Sequence, residues 1–61
     1  MTTSLSPLRV LIIDDISQGR QELRVLLELT GAVQVVGEAG DDQEAPDFEA
    51  RLRPDVVVMD L

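Results

Sequence analysis

Two short apolar runs, each followed at once by aspartate, constrain the fold of this 61-residue chain more than any other feature. Residues 10–13 form the first run and precede Asp14 and Asp15, and residues 56–59 form the second run and precede Asp60. Continuous apolar runs of this length are typical of strands that are buried on both faces of a parallel sheet. Such strands need long crossover connections, usually helical. The intervening segment is long enough for two of them.

The segment after the first run has the pattern of an amphipathic helix. Apolar side chains recur at helical spacing, which predicts a helix over residues 17–30. Ser17 has the side chain of an N-cap residue, and Gly31 is placed to end the helix in a left-handed conformation. The stripe that would pack on the sheet comprises Leu23, Leu26, Leu27 and Thr30.

Three further elements complete the pattern. Residues 33–39 predict a shorter strand, whose mixed pattern and charged end suit the edge of a sheet. Residues 44–52 predict a second helix, with Pro46 in its first turn, where proline is tolerated. The proline after Arg53 biases that residue toward an extended backbone, and residues 55–59 then form the third strand. The second helix would pack on the sheet through Ala45, Phe48 and Leu52.

The order β-α-β-α-β predicts a doubly wound α/β fold with a parallel sheet. Crossovers between parallel strands are right-handed in nearly all cases, and the apolar strands need cover on both faces. One helix on each face puts the first strand in the middle, with strand order 2-1-3. Ligands of open α/β sheets bind at the C-terminal edge where the chain reverses direction between strands. Asp14, Asp15 and Asp60 lie at that edge.

Three neighbouring carboxylates predict a site for Mg²⁺, because magnesium prefers oxygen ligands. The alternative is that Asp14 and Asp15 only end a strand and begin a loop, but Asp60 at the matching end of a second strand favours the metal site. A Walker B strand of a nucleoside triphosphatase is disfavoured, because the chain has no lysine for a phosphate loop. Arg20, early in the first helix, would either meet this acidic cluster or a phosphate, or lie on solvated surface.

Composition narrows the range of partners. The formal net charge is -7, which disfavours nucleic-acid contact by this segment, because phosphate backbones attract positive charge. No apolar run approaches the roughly 20 residues of a membrane span, and residues 1–7 lack the basic and apolar regions of a signal peptide. We therefore expect a flexible leader over residues 1–7, no membrane contact and a cytoplasmic location.

The chain after Pro7 resembles the N-terminal half of a response-regulator receiver domain of two-component signalling. The stretches that carry the resemblance are residues 8–15, Arg20, residues 23–28, residues 35–39, Ala45 and residues 52–61. The resemblance implies a flavodoxin-like sheet, of which residues 8–61 would form the part up to the third strand. The second strand and the Arg53-Pro54-Asp55 entry look most like the subgroup that carries a helix-turn-helix output domain.

The resemblance also implies a role for each aspartate. Asp60 would be the phosphoacceptor, whose carboxylate attacks a phosphoryl group carried by a histidine of a sensor kinase or a phosphotransfer protein. Asp15 would bind Mg²⁺ directly and Asp14 through water, with Asp60 completing the set of metal carboxylates. The ion would offset charge on the transferring group, which is most of what phosphoryl transfer requires. The domain would be a signalling module and not an enzyme.

Departures from the family pattern limit these expectations. Ile16 lies where many relatives have a polar or acidic residue, Asp42 replaces a common turn glycine, and Pro46 stands where an apolar helix residue is usual. The family's further site groups, a backbone carbonyl, a hydroxyl residue and a lysine, follow the third strand and have no counterpart up to Leu61. We therefore expect a receiver truncated after its third strand, which alone binds Mg²⁺ weakly and does not switch. The alternative is a non-catalytic interaction or inhibitory fragment that pairs through its open third strand.

Overall fold

The computed structural model describes residues 6–60 and contains five elements. In chain order they are β1 (Leu8–Asp14), α1 (Ser17–Leu29), β2 (Val33–Ala39), α2 (Ala45–Leu52) and β3 (Val56–Asp60). Most of the expected leader, residues 1–5, lies outside the described residues, as does Leu61 at the expected end of the domain. Within residues 6–60, neither helix has the length and apolar character needed to cross a membrane.

The three strands form one parallel sheet in the order β2-β1-β3, which confirms the predicted doubly wound arrangement. β1 pairs with β3 in unbroken register, and the last pair is Asp14 with Asp60. Against β2 the register shifts between Val10 and Leu11, and Val36 is the extra residue of this β-bulge. β1 is the central strand, and three of its side chains have no exposed surface: Leu11, Ile12 and Ile13.

Alternate side chains of β1 enter two separate hydrophobic clusters, one on each face of the sheet. The cluster on the α2 face, with its partly buried neighbours, consists of Leu11, Ile13, Ala39, Ala45, Phe48, Leu52 and Val57. The cluster on the α1 face consists of Val10, Ile12, Val35, Leu23, Leu27, Val33 and Val58. Both faces of β1 are covered, which explains why its sequence is apolar without alternation.

The ends of α1 follow the prediction at the C-terminus and differ from it at the N-terminus. Gly31 has a φ of 75° and takes the left-handed conformation expected after the helix. Ser17, however, is the first helical residue and not the N-cap. Ile16 occupies the N-cap position and makes no side-chain cap hydrogen bond. The side-chain acceptor at this end of α1 is instead Oδ1 of Asp14 in β1, which accepts the N–H of Ile16.

Only half of the predicted apolar stripe of α1 reaches the sheet. Leu23 and Leu27 pack against the cluster on that face, whereas Leu26 is 64% exposed and Thr30 is also exposed. The inward positions predicted for Leu26 and Thr30 are therefore wrong. In the described residues α1 packs on β1 and β2 and not on β3, so only a narrow row of its side chains contacts a strand.

α2 and β3 each begin one residue later than predicted. Pro46 lies in the first turn of α2 as expected. Arg53 was predicted to be extended and is instead left-handed, with φ 49° and ψ 60°. Its N–H donates to the carbonyl oxygen of Glu49 at 3.0 Å, and this helix-ending hydrogen bond outweighs the bias from the following proline. The predicted inward residues of α2 do pack on the sheet: Ala45, Phe48 and Leu52.

Candidate functional site

The C-terminal ends of β1 and β3 lie side by side at one edge of the sheet. Asp14 and Asp60 are register partners there, on neighbouring strands that are typically about 4.8 Å apart. They lie two residues beyond Ile12 and Val58, which belong to the α1-face cluster, so strand alternation places both aspartates on that face. Asp15 is the next residue after β1. The backbone thus brings the three predicted aspartates to one edge.

Asp14 is buried against the start of α1, with 6% of its surface exposed. Its Oδ1 accepts the backbone N–H of Ile16 at 2.8 Å, the geometry of an Asx-turn. Its Oδ2 lies 3.0 Å from the point that a Cβ on residue 19 would occupy, so Gly19 gives this carboxylate its room. Asp14, and not the predicted Ser17, therefore supplies the side-chain acceptor at the entry to α1.

Arg20 reaches the acidic edge through the main chain. Its Nη1 donates to the carbonyl oxygen of Asp14 at 2.6 Å, and its Nε lies 3.6 Å from Oε1 of Glu38. Only 21% of the Arg20 side chain is exposed. Of the two alternatives for this arginine, the structure therefore supports contact with the acidic edge over a position on solvated surface. The contact is with the backbone of Asp14, and within residues 6–60 no arginine forms an ion pair with the carboxylates of Asp14, Asp15 or Asp60.

Glu38 is the site-adjacent residue that sequence reasoning missed. Besides Arg20, it pairs through Oε2 with Nη1 of Arg24 at 3.1 Å. Hydrogen bonds to Glu38 and, to a smaller extent, to Glu28 raise the pKa of Arg24, so its guanidinium is charged. The charged end of β2 predicts only an edge position and gives no partner for Glu38. The available signal was the pair of arginines one helical turn apart in α1, facing an acid of the neighbouring strand.

Two further acidic residues near this edge are engaged in local structure. Oδ1 of Asp41 accepts the N–H groups of Gln43 at 2.9 Å and Glu44 at 3.1 Å. Oε1 of Glu44 in turn accepts the N–H of Gly40 at 3.2 Å. These hydrogen bonds shape the turn before α2, so Asp41 and Glu44 are stabilising groups of the loop and not spare ligands.

The two other aspartates of the site, Asp15 and Asp60, are exposed. Across residues 6–60, no three Asp, Glu, His or Cys side chains stand close enough together to hold a metal ion. The backbone positions converge, and the side chains do not form a preformed cluster. The donor set nevertheless fits Mg²⁺, because that ion is usually held by one or two carboxylates and keeps several of its waters.

No family model matches the chain, but curated proteins do. It is 42% identical over 59 residues to protein-glutamate methylesterase/protein-glutamine glutaminase 5 of Myxococcus xanthus, covering 97% of this chain and 17% of that protein. It is 45% identical over 56 residues to the nitrate/nitrite response regulator protein NarP of Escherichia coli, covering 92% and 26%. It is 43% identical over 54 residues to the transcriptional regulatory protein LiaR of Bacillus subtilis, covering 88% and 26%.

The chain spans only 17% to 26% of the length of these relatives, so the similarity concerns one segment that they share. One relative is named as an enzyme and two are named as regulators, which fits a shared segment joined to a different further domain in each protein. In this chain that segment forms a three-stranded parallel sheet of order 2-1-3 with aspartates at the C-terminal edge of β1 and β3. The predicted resemblance to a response-regulator receiver domain is therefore confirmed over 88% to 97% of the chain.

Proposed function

We propose that this chain supplies the phosphoacceptor of a two-component receiver, and that Asp60 is the accepting residue. The observation that carries the proposal is the pairing of Asp60 with Asp14 at the C-terminal edge of adjacent parallel strands. Asp60 is exposed, so a phosphorylated partner can approach its carboxylate from solvent. The donor would be a phosphohistidine on a sensor kinase or a phosphotransfer protein.

The proposed step is a transfer between two nucleophiles. A carboxylate oxygen of Asp60 attacks the phosphorus atom and forms an O–P bond while the N–P bond of the phosphohistidine breaks. The electron pair of that bond stays on the imidazole nitrogen, which takes up a proton from water. The product is an acyl phosphate on Asp60. Because the transition state is loose, positioning and charge stabilisation supply most of the catalysis.

Asp15 and Asp14 are proposed to hold Mg²⁺ beside Asp60, Asp15 directly and Asp14 through water. When bound, the ion would offset the negative charge of the phosphoryl oxygens and of the three carboxylates. Asp14 suits the indirect role, because its Oδ1 is already used by the N–H of Ile16 and its side chain is buried. Asp15 suits the direct role, because it is exposed at the end of the strand.

For these residues on their own we propose weak Mg²⁺ binding and no conformational switching. The resemblance places the hydroxyl residue and the lysine that contact the phosphoryl group after the third strand, outside residues 6–60. A long-lived acyl phosphate on this chain alone would contradict that part of the proposal. The segment is proposed as a signalling module, with catalysis of further reactions left to the rest of any longer protein.

The test is an NMR titration of the chain with Mg²⁺, followed by addition of beryllofluoride as a mimic of the phosphoryl group. We expect amide shifts at Asp14, Asp15 and Asp60 with Mg²⁺, and further shifts at Asp60 with beryllofluoride. In Asp60→Asn the beryllofluoride response should vanish, because the accepting carboxylate is gone. Asp42→Asn is the matched control, since it removes a nearby exposed acid and should leave the response intact.

Three results would count against this function. Shifts that persist in Asp60→Asn would show that beryllofluoride binds elsewhere. Shifts that are lost equally in Asp42→Asn would show that the response depends on overall negative charge and not on a defined carboxylate. A well-dispersed spectrum that changes with neither Mg²⁺ nor beryllofluoride would show that the chain folds but lacks the proposed site chemistry.

A second candidate function is interaction through β3, as a docking or inhibitory element. The observation that favours it is the exposure of β3. Val57 and Val58 join the two hydrophobic clusters, but in the described residues no Cα of α1 or α2 lies within 8 Å of a β3 Cα, and Val56 and Met59 are 39% and 52% exposed. A parallel strand from another chain could pair with this edge. Co-purification of a defined heteromer would support this function, whereas aggregates of mixed size would indicate only an exposed apolar edge.

A further inference from the structure

The backbone on both sides of Asp15 is held by hydrogen bonds that do not involve a ligand. On one side, Arg20 Nη1 donates to the carbonyl oxygen of Asp14 at 2.6 Å. On the other side, the N–H of Ile16 donates to Oδ1 of Asp14 at 2.8 Å. Because each peptide unit is planar, fixing these two groups fixes the two peptide planes that meet at the Cα of Asp15. An exposed side chain is thus presented from an anchored backbone.

Arg20 is itself held in place by β2. Its Nε lies 3.6 Å from Glu38 Oε1, and the side chain is largely buried. Within residues 6–60 the buried Nε makes no hydrogen bond, so the guanidinium gives up solvation here and is held mainly by the Asp14 carbonyl and the charge of Glu38. Glu38 pairs in register with Ile12 of β1. The link therefore runs from β2 through α1 to the end of β1.

From this geometry we infer that Arg20, held by Glu38, is a positioning residue that sets the direction of the Asp15 carboxylate. The inference rests on the proposed function, in which Asp15 binds Mg²⁺. Arg20 touches neither the ion nor the phosphoryl group. It acts on the peptide unit between Asp14 and Asp15, and so prepares the metal-binding side before any ligand arrives. Preorganisation of this kind lowers the ordering cost of binding.

Arg24 shows why the Arg20 contact is more than a general ion pair. Both arginines project from α1 to Glu38, and Arg24 Nη1 is the closer of the two at 3.1 Å. Their second contacts differ. Arg24 also pairs with Glu28 on its own helix, whereas Arg20 donates to the main-chain carbonyl of Asp14. A purely structural role of the charge network predicts similar effects from the loss of either arginine. A positioning role predicts an effect on Asp15 from Arg20 alone.

The experiment compares Arg20→Gln, Arg20→Lys and Arg24→Gln in the full chain. Without Mg²⁺, amide hydrogen exchange and backbone relaxation report the order of the loop at Asp15 and Ile16. We expect faster exchange and larger amplitude of motion at these two residues in Arg20→Gln, and wild-type values in Arg24→Gln. Urea unfolding of each variant separates this local change from a general loss of stability.

Mg²⁺ affinity provides the second measurement. Arg20→Gln should bind Mg²⁺ about tenfold more weakly, the effect usual for removing a group that orients a metal ligand. Arg24→Gln should stay within about twofold of wild type, because its ion pairs are exposed. Arg20→Lys should recover part of the loss, because a single ammonium keeps the charge but cannot bridge the carbonyl and Glu38 as the guanidinium does.

The outcomes separate this inference from the proposed function. If wild type does not bind Mg²⁺, the proposed metal role of Asp15 fails, while the exchange data still decide whether Arg20 orders the loop. If wild type binds Mg²⁺ and Arg20→Gln matches Arg24→Gln in both exchange and affinity, Arg20 is not a positioning residue. If Arg20→Gln does not fold, Arg20→Lys takes its place, and wild-type exchange and affinity in that variant would overturn the inference.

Discussion

The two ends of β3 carry aspartates in opposite situations. At the N-terminal edge of the sheet, Asp55 Oδ2 accepts the N–H of Arg9 at 2.9 Å, and the N–H of Asp55 donates to the Arg9 carbonyl at 2.8 Å. At the C-terminal edge, Asp60 stands beside a second acid, Asp14, and none of the ion pairs in residues 6–60 includes it. The aspartate at the N-terminal edge thus extends the strand pairing, whereas the aspartate at the C-terminal edge forms no ion pair within residues 6–60.

This difference separates a stabilising carboxylate from the proposed phosphoacceptor. Asp55 extends the pairing of β1 and β3 by two hydrogen bonds, and Arg9 adds a third through Nη1 to the Arg53 carbonyl at 3.0 Å. Asp14 and Asp60 place like charges on adjacent strands, which is unfavourable when they face each other across a sheet. A bound cation would offset that repulsion and so link ligand binding to stability. The acid that contributes least to the fold is therefore the better candidate for chemistry.

The largest expected effect comes from Asp60→Asn, at the C-terminal end of β3. We expect complete loss of the beryllofluoride response together with an unfolding free energy within about 0.5 kcal/mol of wild type, as is usual for a surface change away from structural contacts. The amide keeps the size of the side chain and removes one of two neighbouring charges. Urea unfolding followed by circular dichroism measures the second quantity. A loss of stability well beyond that range would assign Asp60 a structural role like that of Asp55.

The opposite end of β3 should respond in the opposite way. Asp55→Ala removes the acceptor for the Arg9 N–H, and we expect the unfolding free energy to fall by about 1 kcal/mol, the usual net value of such a hydrogen bond. The Mg²⁺-induced shifts at Asp15 should remain. Asp42→Ala removes another exposed acid of the chain and serves as the control for loss of charge alone. Equal destabilisation by both substitutions would mean that net charge, and not the hydrogen bond, decides the effect.

The parts of this fold that sequence could predict are those governed by local pattern. The two apolar runs and the helical spacing between them were sufficient to predict the strand order. The position of Asp14 and Asp60 at one edge of the sheet followed from where the runs end. The exposure of Leu26 was not predictable in the same way, because it depends on which strands α1 lies over. Periodicity gives the apolar face of a helix and leaves open how much of that face the neighbouring sheet covers.

The details of the site depended on contacts between residues far apart in the sequence. Ser17 was the obvious cap by residue type, yet the acceptor at the start of α1 is the buried carboxylate of Asp14. Glu38 and Arg20 are far apart in the sequence, and their contact joins a strand to a helix. Competition among several polar groups near one helix end is settled by tertiary geometry, which residue preferences describe only on average.

The smallest expected change in stability, Gly19→Ala, tests how closely the two roles of Asp14 are joined. A methyl group at residue 19 would lie 3.0 Å from Asp14 Oδ2, while alanine in a helix is favoured over glycine by up to about 1 kcal/mol. We expect these effects to offset each other, leaving the unfolding free energy within about 0.5 kcal/mol of wild type. Mg²⁺ affinity should nevertheless fall several-fold, because the methyl group displaces the carboxylate.

Gln21→Ala, at an exposed position of the same helix, is the control for helix preference and should leave Mg²⁺ affinity unchanged. Unfolding and Mg²⁺ titration on both variants then distinguish two cases. If Gly19→Ala gains stability and keeps its affinity, Asp14 can move without consequence and its buried carboxylate serves only the turn at Ile16. If affinity falls while stability holds, the same carboxylate serves both the fold and the site, and Asp14 stands between the structural role of Asp55 and the functional role of Asp60.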